Sequence, residues 1–227
     1  MTLDKEAEVR KKIKVRGSKS KIENKPPIRT NRYRAEITAG ALKVYESRKI
    51  AELLLESLDE SGWKQKLIQE NILKTKSPAT AGRLSRLLRP RLEVFDKTLW
   101  SMIAEGSNKL ANEACFVAAI KQSPLVGDFL LFVVHEKDKS GSYHFNGLLW
   151  DQYIEQCRDR EPDTPVWSDR TIKTLRSSTL QMLKQVGCIK DGKELKIQRI
   201  QFEPKLLKYL LGRNERYILK CLEAISC

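Results

Sequence analysis

Apolar residues recur at helical spacing from Ala41 to Leu58, through Val44, Ala51, Leu54, Leu55 and Leu58, and Gly62 closes the segment. A second, short helix is predicted over Trp63–Ile72, burying Trp63, Leu67, Ile68 and Ile72. A third begins at Ser77, where the hydroxyl suits the cap and Pro78 suits the first helical position. It is expected to reach Leu88 or Arg89 and to stop at Pro90. With the Leu73–Lys76 turn between them, the second and third helices predict a helix-turn-helix-like element. Residues 92–135 read as two or three more helices, with a break at Ser123-Pro124. Their expected core is Val94, Leu99, Trp100, Ile103, Leu110, Ala114, Val117, Ile120, Phe129, Leu130 and Val133.

The rhythm then changes. Residues 137–142 (KDKSGS) predict a linker. Leu148, Leu149, Tyr153 and Ile154 predict a short helix, Pro162 and Pro165 a loop, and Ser168–Val186 a long helix ended by Gly187. Cys188–Lys190 and Leu195–Phe202, joined at Asp191-Gly192, predict a β-hairpin. Helix, helix, hairpin is the order of a winged helix. The expected fold is therefore mainly α: a basic flexible arm over 1–32, a helical domain over 33–136, a linker over 137–142 and a winged-helix-like domain over 143–227. The arm follows from the lack of periodicity in residues 1–30, which contain Gly17-Ser18 and Pro26-Pro27.

Charge sharpens this picture. The net charge is +14, but it is sorted by region. Residues 1–34 hold 12 Lys/Arg against 4 Asp/Glu, 64–91 hold 8 against 1, and 167–205 hold 9 against 4. Between them, 35–63 and 92–166 are net acidic. Such segregation points to a polyanionic partner. In Ser168–Val186, Ile172, Leu175, Thr179, Met182, Leu183 and Val186 share one face. Arg170, Lys173, Ser177, Gln181 and Lys184 lie opposite, with Arg176 on the flank; these residue types contact phosphates and base edges. In Pro78–Arg89, Ala81, Leu84, Leu87 and Leu88 share one face, and Arg83, Arg86 and Arg89 the other, beside small Ala79 and Gly82. The predicted wing adds Lys190, Lys193, Lys196 and Arg199. The expected partner is duplex DNA, held mainly through phosphates with limited base readout.

Other chemistries find little footing. The most apolar stretch, Ala114–Val134, is broken by Lys121, Gln122, Ser123, Pro124 and Asp128, which argues against a membrane span and for a cytoplasmic protein. Cys115, Cys157, Cys188, Cys221 and Cys227 show no paired spacing, and His135 and His144 are near no cysteine pair, so no metal or other cofactor is expected. The four tryptophans, Trp63, Trp100, Trp150 and Trp167, lie beside apolar helical residues and read as core. No phosphate-binding glycine loop or His-Glu-x-x-His occurs, and Asp159, Glu161 and Asp163 sit in a Pro-bounded loop without an apolar setting. The chain is not expected to be an enzyme.

Several segments resemble the BrxA family, the A component of BREX phage-defence systems. They are Ala39–Leu55 (AGALKVYESRKIAELLL) with Gly62-Trp63, Asn71-Ile72-Leu73, and Ser77–Leu92 (SPATAGRLSRLLRPRL). Leu99–Ile103 and Val166-Trp167-Ser168 leading into Thr174-Leu175-Arg176 extend the likeness, which spans roughly Tyr33–Leu211. The family once carried an inner-membrane label, which this sequence contradicts. The resemblance implies a small, mostly helical DNA-binding accessory protein beside the methyltransferase and ATPase components of the system, and a monomer is favoured. A protein–protein adaptor docking through the acidic 92–166 face, and a binder of structured RNA, remain the competing readings.

Overall fold

The computed structural model describes residues 31–136, 144–145, 147–190 and 195–227. Side-chain caps start five of the helices described, each accepting a backbone N–H that the first turn leaves unpaired. After a short 3-10 turn at Glu36–Ala39, helix α1 spans Val44–Glu56. Asp59 caps α2 (Glu60–Lys64), whose last turns widen into a π-helix at Gln65–Gln69. Ser77 caps α3 (Pro78–Glu93), Asp96 caps α4 (Lys97–Glu105) and Ser107 caps α5 (Asn108–Gln122). Helix α6 (Pro124–Phe129) continues as a π-helix over Leu130–Val134. Helix α7 spans Gly147–Arg160, and Ser168 caps α8 (Asp169–Gln185). Two helices, α9 (Pro204–Gly212) and α10 (Arg216–Glu223), finish the chain.

Residues 31–227 form one compact unit. Helix α5 is its axis: Leu110, Ala111 and the whole run Glu113–Ile120 are buried, the mark of a helix surrounded on every side. Helices α1, α3, α4, α6, α9 and α10 pack around it. The expected linker at 137–142 lies outside the described residues, and the residues on either side of it share a single apolar core. No single helix among the described residues is long and apolar enough to cross a membrane; α5 and α6 together pass on composition but meet at a 102° bend.

Four expectations are corrected. Helix α3 does not stop at Pro90 but runs through it to Glu93. Proline removes one hydrogen bond, and burial of Leu88, Arg91 and Leu92 holds the turn beyond it. Helix α2 begins at Glu60, earlier than Trp63, because Asp59 caps it. Val94 is 43% exposed rather than core. The hairpin over Cys188–Lys190 and Leu195–Phe202 does not form as expected, and with it goes the winged helix built on that hairpin. Its Asp191-Gly192 turn lies outside the described residues, among which one antiparallel bridge, Ile189–Ile197, and the Gln198 N–H donating to the Cys188 carbonyl at 2.8 Å link the two segments. Leu195–Lys196 (β2) pairs instead with His144–Phe145 (β1), antiparallel. Ile200 is drawn off by the C-terminus: its N–H donates to Ile225 O at 2.9 Å and its carbonyl accepts from Cys227 N at 3.2 Å. Gly187, at φ 82°, supplies the left-handed residue that ends α8.

One buried carboxylate ties the first described residues to the last helix. Asp128 on α6 is 2% exposed. It accepts from Arg32 Nε at 3.2 Å and Nη2 at 2.9 Å, from Tyr33 Oη at 2.7 Å and from Tyr217 Oη on α10 at 2.7 Å. Arg32 thus belongs to the folded body rather than to the expected arm, of which residues 1–30 lie outside the described residues. Gly127 is required beside it, because a Cβ there would collide with the Tyr217 hydroxyl. Burial first, and then the hydrogen bond to Asp128, pushes the Tyr33 phenol well above its usual range; burial, with Cys221 and Asp128 adding, does the same to Tyr217.

Both phenols are favoured in their protonated form by folding, so their contribution is complete below the unfolded value of about 10 and is lost as pH rises above it. Stability in urea should therefore fall between pH 9.5 and 11, and Tyr33→Phe with Tyr217→Phe should flatten that fall while lowering stability at pH 7. Asp128→Ala, which leaves the Tyr33 and Tyr217 hydroxyls without their acceptor while the half-exposed Arg32 turns to water, should cost about 2–3 kcal/mol in the same assay.

Candidate nucleic-acid interface

Helix α8 carries the first basic surface. Its inner face, Leu175, Ser178, Thr179, Met182 and Leu183, is buried. Arg170, Lys173, Ser177 and Gln181 are exposed on the other side. Arg170, Lys173, Thr174 and Ser177 line a shallow depression of about 450 Å³. Neither Arg170 nor Lys173 has a carboxylate within ion-pair distance among the described residues. Arg176 and Lys184 differ: both are half-buried. The Arg176 guanidinium lies against Gly147 at the start of α7, where a Cβ would strike its Nη1. Of the expected wing, Lys193 and the Lys196 side chain lie outside the described residues. Lys190 is exposed, and Arg199 donates to Ser226 O at 3.2 Å.

The second surface is on α3. Arg83 and Arg86 are exposed, and with Glu36, Ala39, Leu87 and Gln122 they line a notch of about 290 Å³. The α2–α3 turn is held by Asn71, whose Oδ1 accepts from Thr75 N at 3.0 Å and whose Nδ2 donates to Thr75 O at 2.9 Å. Trp63 Nε1 donates to Ser85 Oγ at 3.3 Å and fixes α2 on α3.

Two arginines of the same block face other tasks. Arg89 is clamped by Glu60 and Glu93, each at 2.8 Å, and stacks on the Trp63 ring at 4.3 Å. Its charge is spent inside the protein. Arg91 is fully buried: Nε donates to Gln122 Oε1 at 2.8 Å and Nη1 to Ala41 O at 2.9 Å. Burial pulls its guanidinium down to about 10, against the fields of Cys115 and Glu36. The signal for it lay in the periodicity, since Leu84, Leu87, Leu88 and Arg91 fall on one helical stripe.

The acidic 92–166 block is partly turned inward. Asp96 accepts from Tyr209 Oη at 3.0 Å and pairs with Arg213, Glu113 accepts the Glu203 N–H at 2.8 Å and pairs with Lys109, and Asp128 is buried. Asp151 and Glu155 do face solvent, around a depression shared with Asp169, Ile172 and Lys173 of α8. Three of the tryptophans are engaged: Trp63 under Arg89, Trp100 donating to Leu92 O at 2.8 Å, and Trp150 against Phe129 and Tyr153.

The arrangement invites comparison with known proteins. The BrxA family model matches residues 31–214. A BREX protein BrxA from Paramagnetospirillum magneticum is 42% identical over 192 residues, covering 85% of this chain and 96% of that one. The BREX protein BrxA of Escherichia coli is 30% identical over 188 residues, covering 83% and 88%. A crystal structure of an uncharacterized protein from Magnetospirillum magneticum superposes with a TM-score of 0.79 at 40% identity, covering 84% of this chain and 98% of that one.

Arg89→Ala should lower the melting temperature, because it leaves Glu60 and Glu93 unpaired and uncovers Trp63. Arg86→Ala should leave it unchanged within the roughly 0.5 kcal/mol typical of surface substitutions. Differential scanning calorimetry separates the two; equal shifts would show that Arg89 is an ordinary surface cation.

Proposed function

The chain belongs to the BrxA family, and we propose that, as a component of a BREX phage-defence system, it binds duplex DNA without catalysing a reaction. The observation that carries this reading is the split between spent and unspent cations. Lys49, Lys66, Arg89, Lys109, Lys121 and Arg213 each meet a carboxylate at short range. Arg83, Arg86, Arg170 and Lys173, exposed cations on the outward faces of α3 and α8, meet none among the described residues. Exposed cations held on rigid helices with no internal partner suit a phosphate backbone. Ser177 and Gln181, on the same face of α8, suit base edges and give limited sequence readout. Partners among the other BREX components are in keeping with the family. The buried Glu113 and Asp128, and Asp96 paired with Arg213, take three carboxylates away from the reading of 92–166 as an acidic docking face.

Fluorescence anisotropy with labelled duplex DNA, single-stranded DNA and duplex RNA tests the reading. Duplex DNA should bind most tightly, and if about six to eight phosphates are neutralised the slope of log K against log[salt] should be about −5 to −7. Arg170→Ala with Lys173→Ala should reduce the slope by about 1.8 and leave thermal stability intact. Tighter binding of duplex RNA would move the reading to structured RNA, and a slope near zero would remove the polyanion altogether.

A further inference from the structure

We infer that copies of this chain dock head to tail, the loop 161–168 of one copy seating Val166 in the groove between α2 and α3 of the next. The inference goes beyond the duplex reading and does not depend on it. The groove measures about 650 Å³ and is lined by Trp63, Leu67, Ile68 and Pro90, with Lys64 and Arg86 as exposed cations. Neither cation meets a carboxylate at ion-pair distance among the described residues. Glu60, the acid of the groove, is engaged by Arg89 at 2.8 Å. Arg86 also borders the notch beside Glu36, so Lys64 is the cation that belongs to the groove alone.

Gly82, in the groove wall, points to an occupant from outside the chain. It stands inside α3, where glycine is destabilising relative to alanine. A Cβ there would meet nothing within 4 Å, so packing within the chain does not require its absence. Bare backbone beside an apolar groove permits close approach of a second surface. A duplex offers phosphates to the two cations but no apolar group that projects far enough to fill the groove. The occupant therefore carries an apolar tip with acid around it. The chain displays such a tip. Val166 is 90% exposed, the most exposed large apolar side chain among the described residues. Pro165 is exposed beside it, and Asp163 and Asp169 are exposed three residues to either side. The loop is held in place: the buried Thr164 donates its N–H to the Glu161 carbonyl at 2.8 Å, Asn31 Nδ2 donates to the Asp163 carbonyl at 2.7 Å, and Ser168 caps α8. The fold thus fixes a valine in water, where it gains nothing from burial, and a fixed tip loses little freedom on docking. Tip and groove are different surfaces of one chain, so the contact is heterologous and repeats from copy to copy. One loop in one groove is a small interface, so the copies separate when dilute.

Sedimentation equilibrium of the full chain without nucleic acid, over a concentration series reaching several hundred micromolar, tests this. The wild type should pass from monomer to larger species, and added salt should weaken the association. Val166→Asp removes the tip, Gly82→Trp fills the groove and Lys64→Glu reverses its charge; each alone should weaken association about tenfold or more. Gly82→Trp should melt no lower than the wild type, since tryptophan is the better helix former, which separates a filled groove from a damaged fold. Mixing Val166→Asp with Gly82→Trp should restore a dimer and nothing longer, because one copy keeps only the groove and the other only the tip. A wild type that stays monomeric throughout, variants that associate as the wild type does, or a mixture that restores nothing would each overturn the inference and leave the groove to a different partner. Duplex binding, read separately by anisotropy, would stand in every case.

Discussion

A helix buried on all sides has to be enclosed, and α5 sets that condition for the rest of this molecule. Eight consecutive residues, Glu113–Ile120, leave no face for water. The chain meets the requirement by wrapping α1, α3, α4, α6, α9 and α10 around it. Apolar area removed from water is the main driving term of such a fold, and here it comes from one contiguous core. The consequence reaches the surface. Helix α3 lies directly on α5, and the end of α8 is bonded to it through Asn112. The outward faces of both basic helices are therefore held by the same buried axis.

Polar groups then lock what burial assembles. Asp128 gathers Arg32, Tyr33 and Tyr217 from opposite ends of the described chain. Arg91 joins the Ala41 carbonyl to α5 at Gln122. A buried ionised group is costly unless it is hydrogen-bonded, so each such site accepts few alternative arrangements. In a chain of net charge +14, this sorting decides which cations remain at the surface. Arg32, Arg89, Arg91 and Arg213 serve the fold; Arg83, Arg86, Arg170 and Lys173 are left facing solvent. The same residue type does both jobs, and its partners distinguish them.

Much of this was legible in the sequence, because it is local. The 3.6-residue periodicity placed α1, α3 and α8, and the serines at 77 and 168 marked two starts through bonds made within the first turn. The outward direction of Arg83, Arg86, Arg170, Lys173, Ser177 and Gln181 followed from the same periodicity. Helices α9 and α10 were as visible in principle, through Leu206, Leu207, Leu210 and Leu211 and then Ile218, Leu219 and Leu222.

Other features needed partners far along the chain. Helix α3 passes Pro90 because tertiary burial of its last turn outweighs a lost hydrogen bond. Arg89 is spent because Glu60, 29 positions earlier, reaches it. Beyond Gln198, whose N–H still bonds the Cys188 carbonyl, Ile200 takes its backbone bonds from the C-terminal residues Ile225 and Cys227. Sequence alone determined which residues form helices and which faces carry charge, since both depend on neighbours within a turn or two. Tertiary structure decided which charges remain available, since a cation is neutralised only by whatever the fold brings within a few ångströms of it.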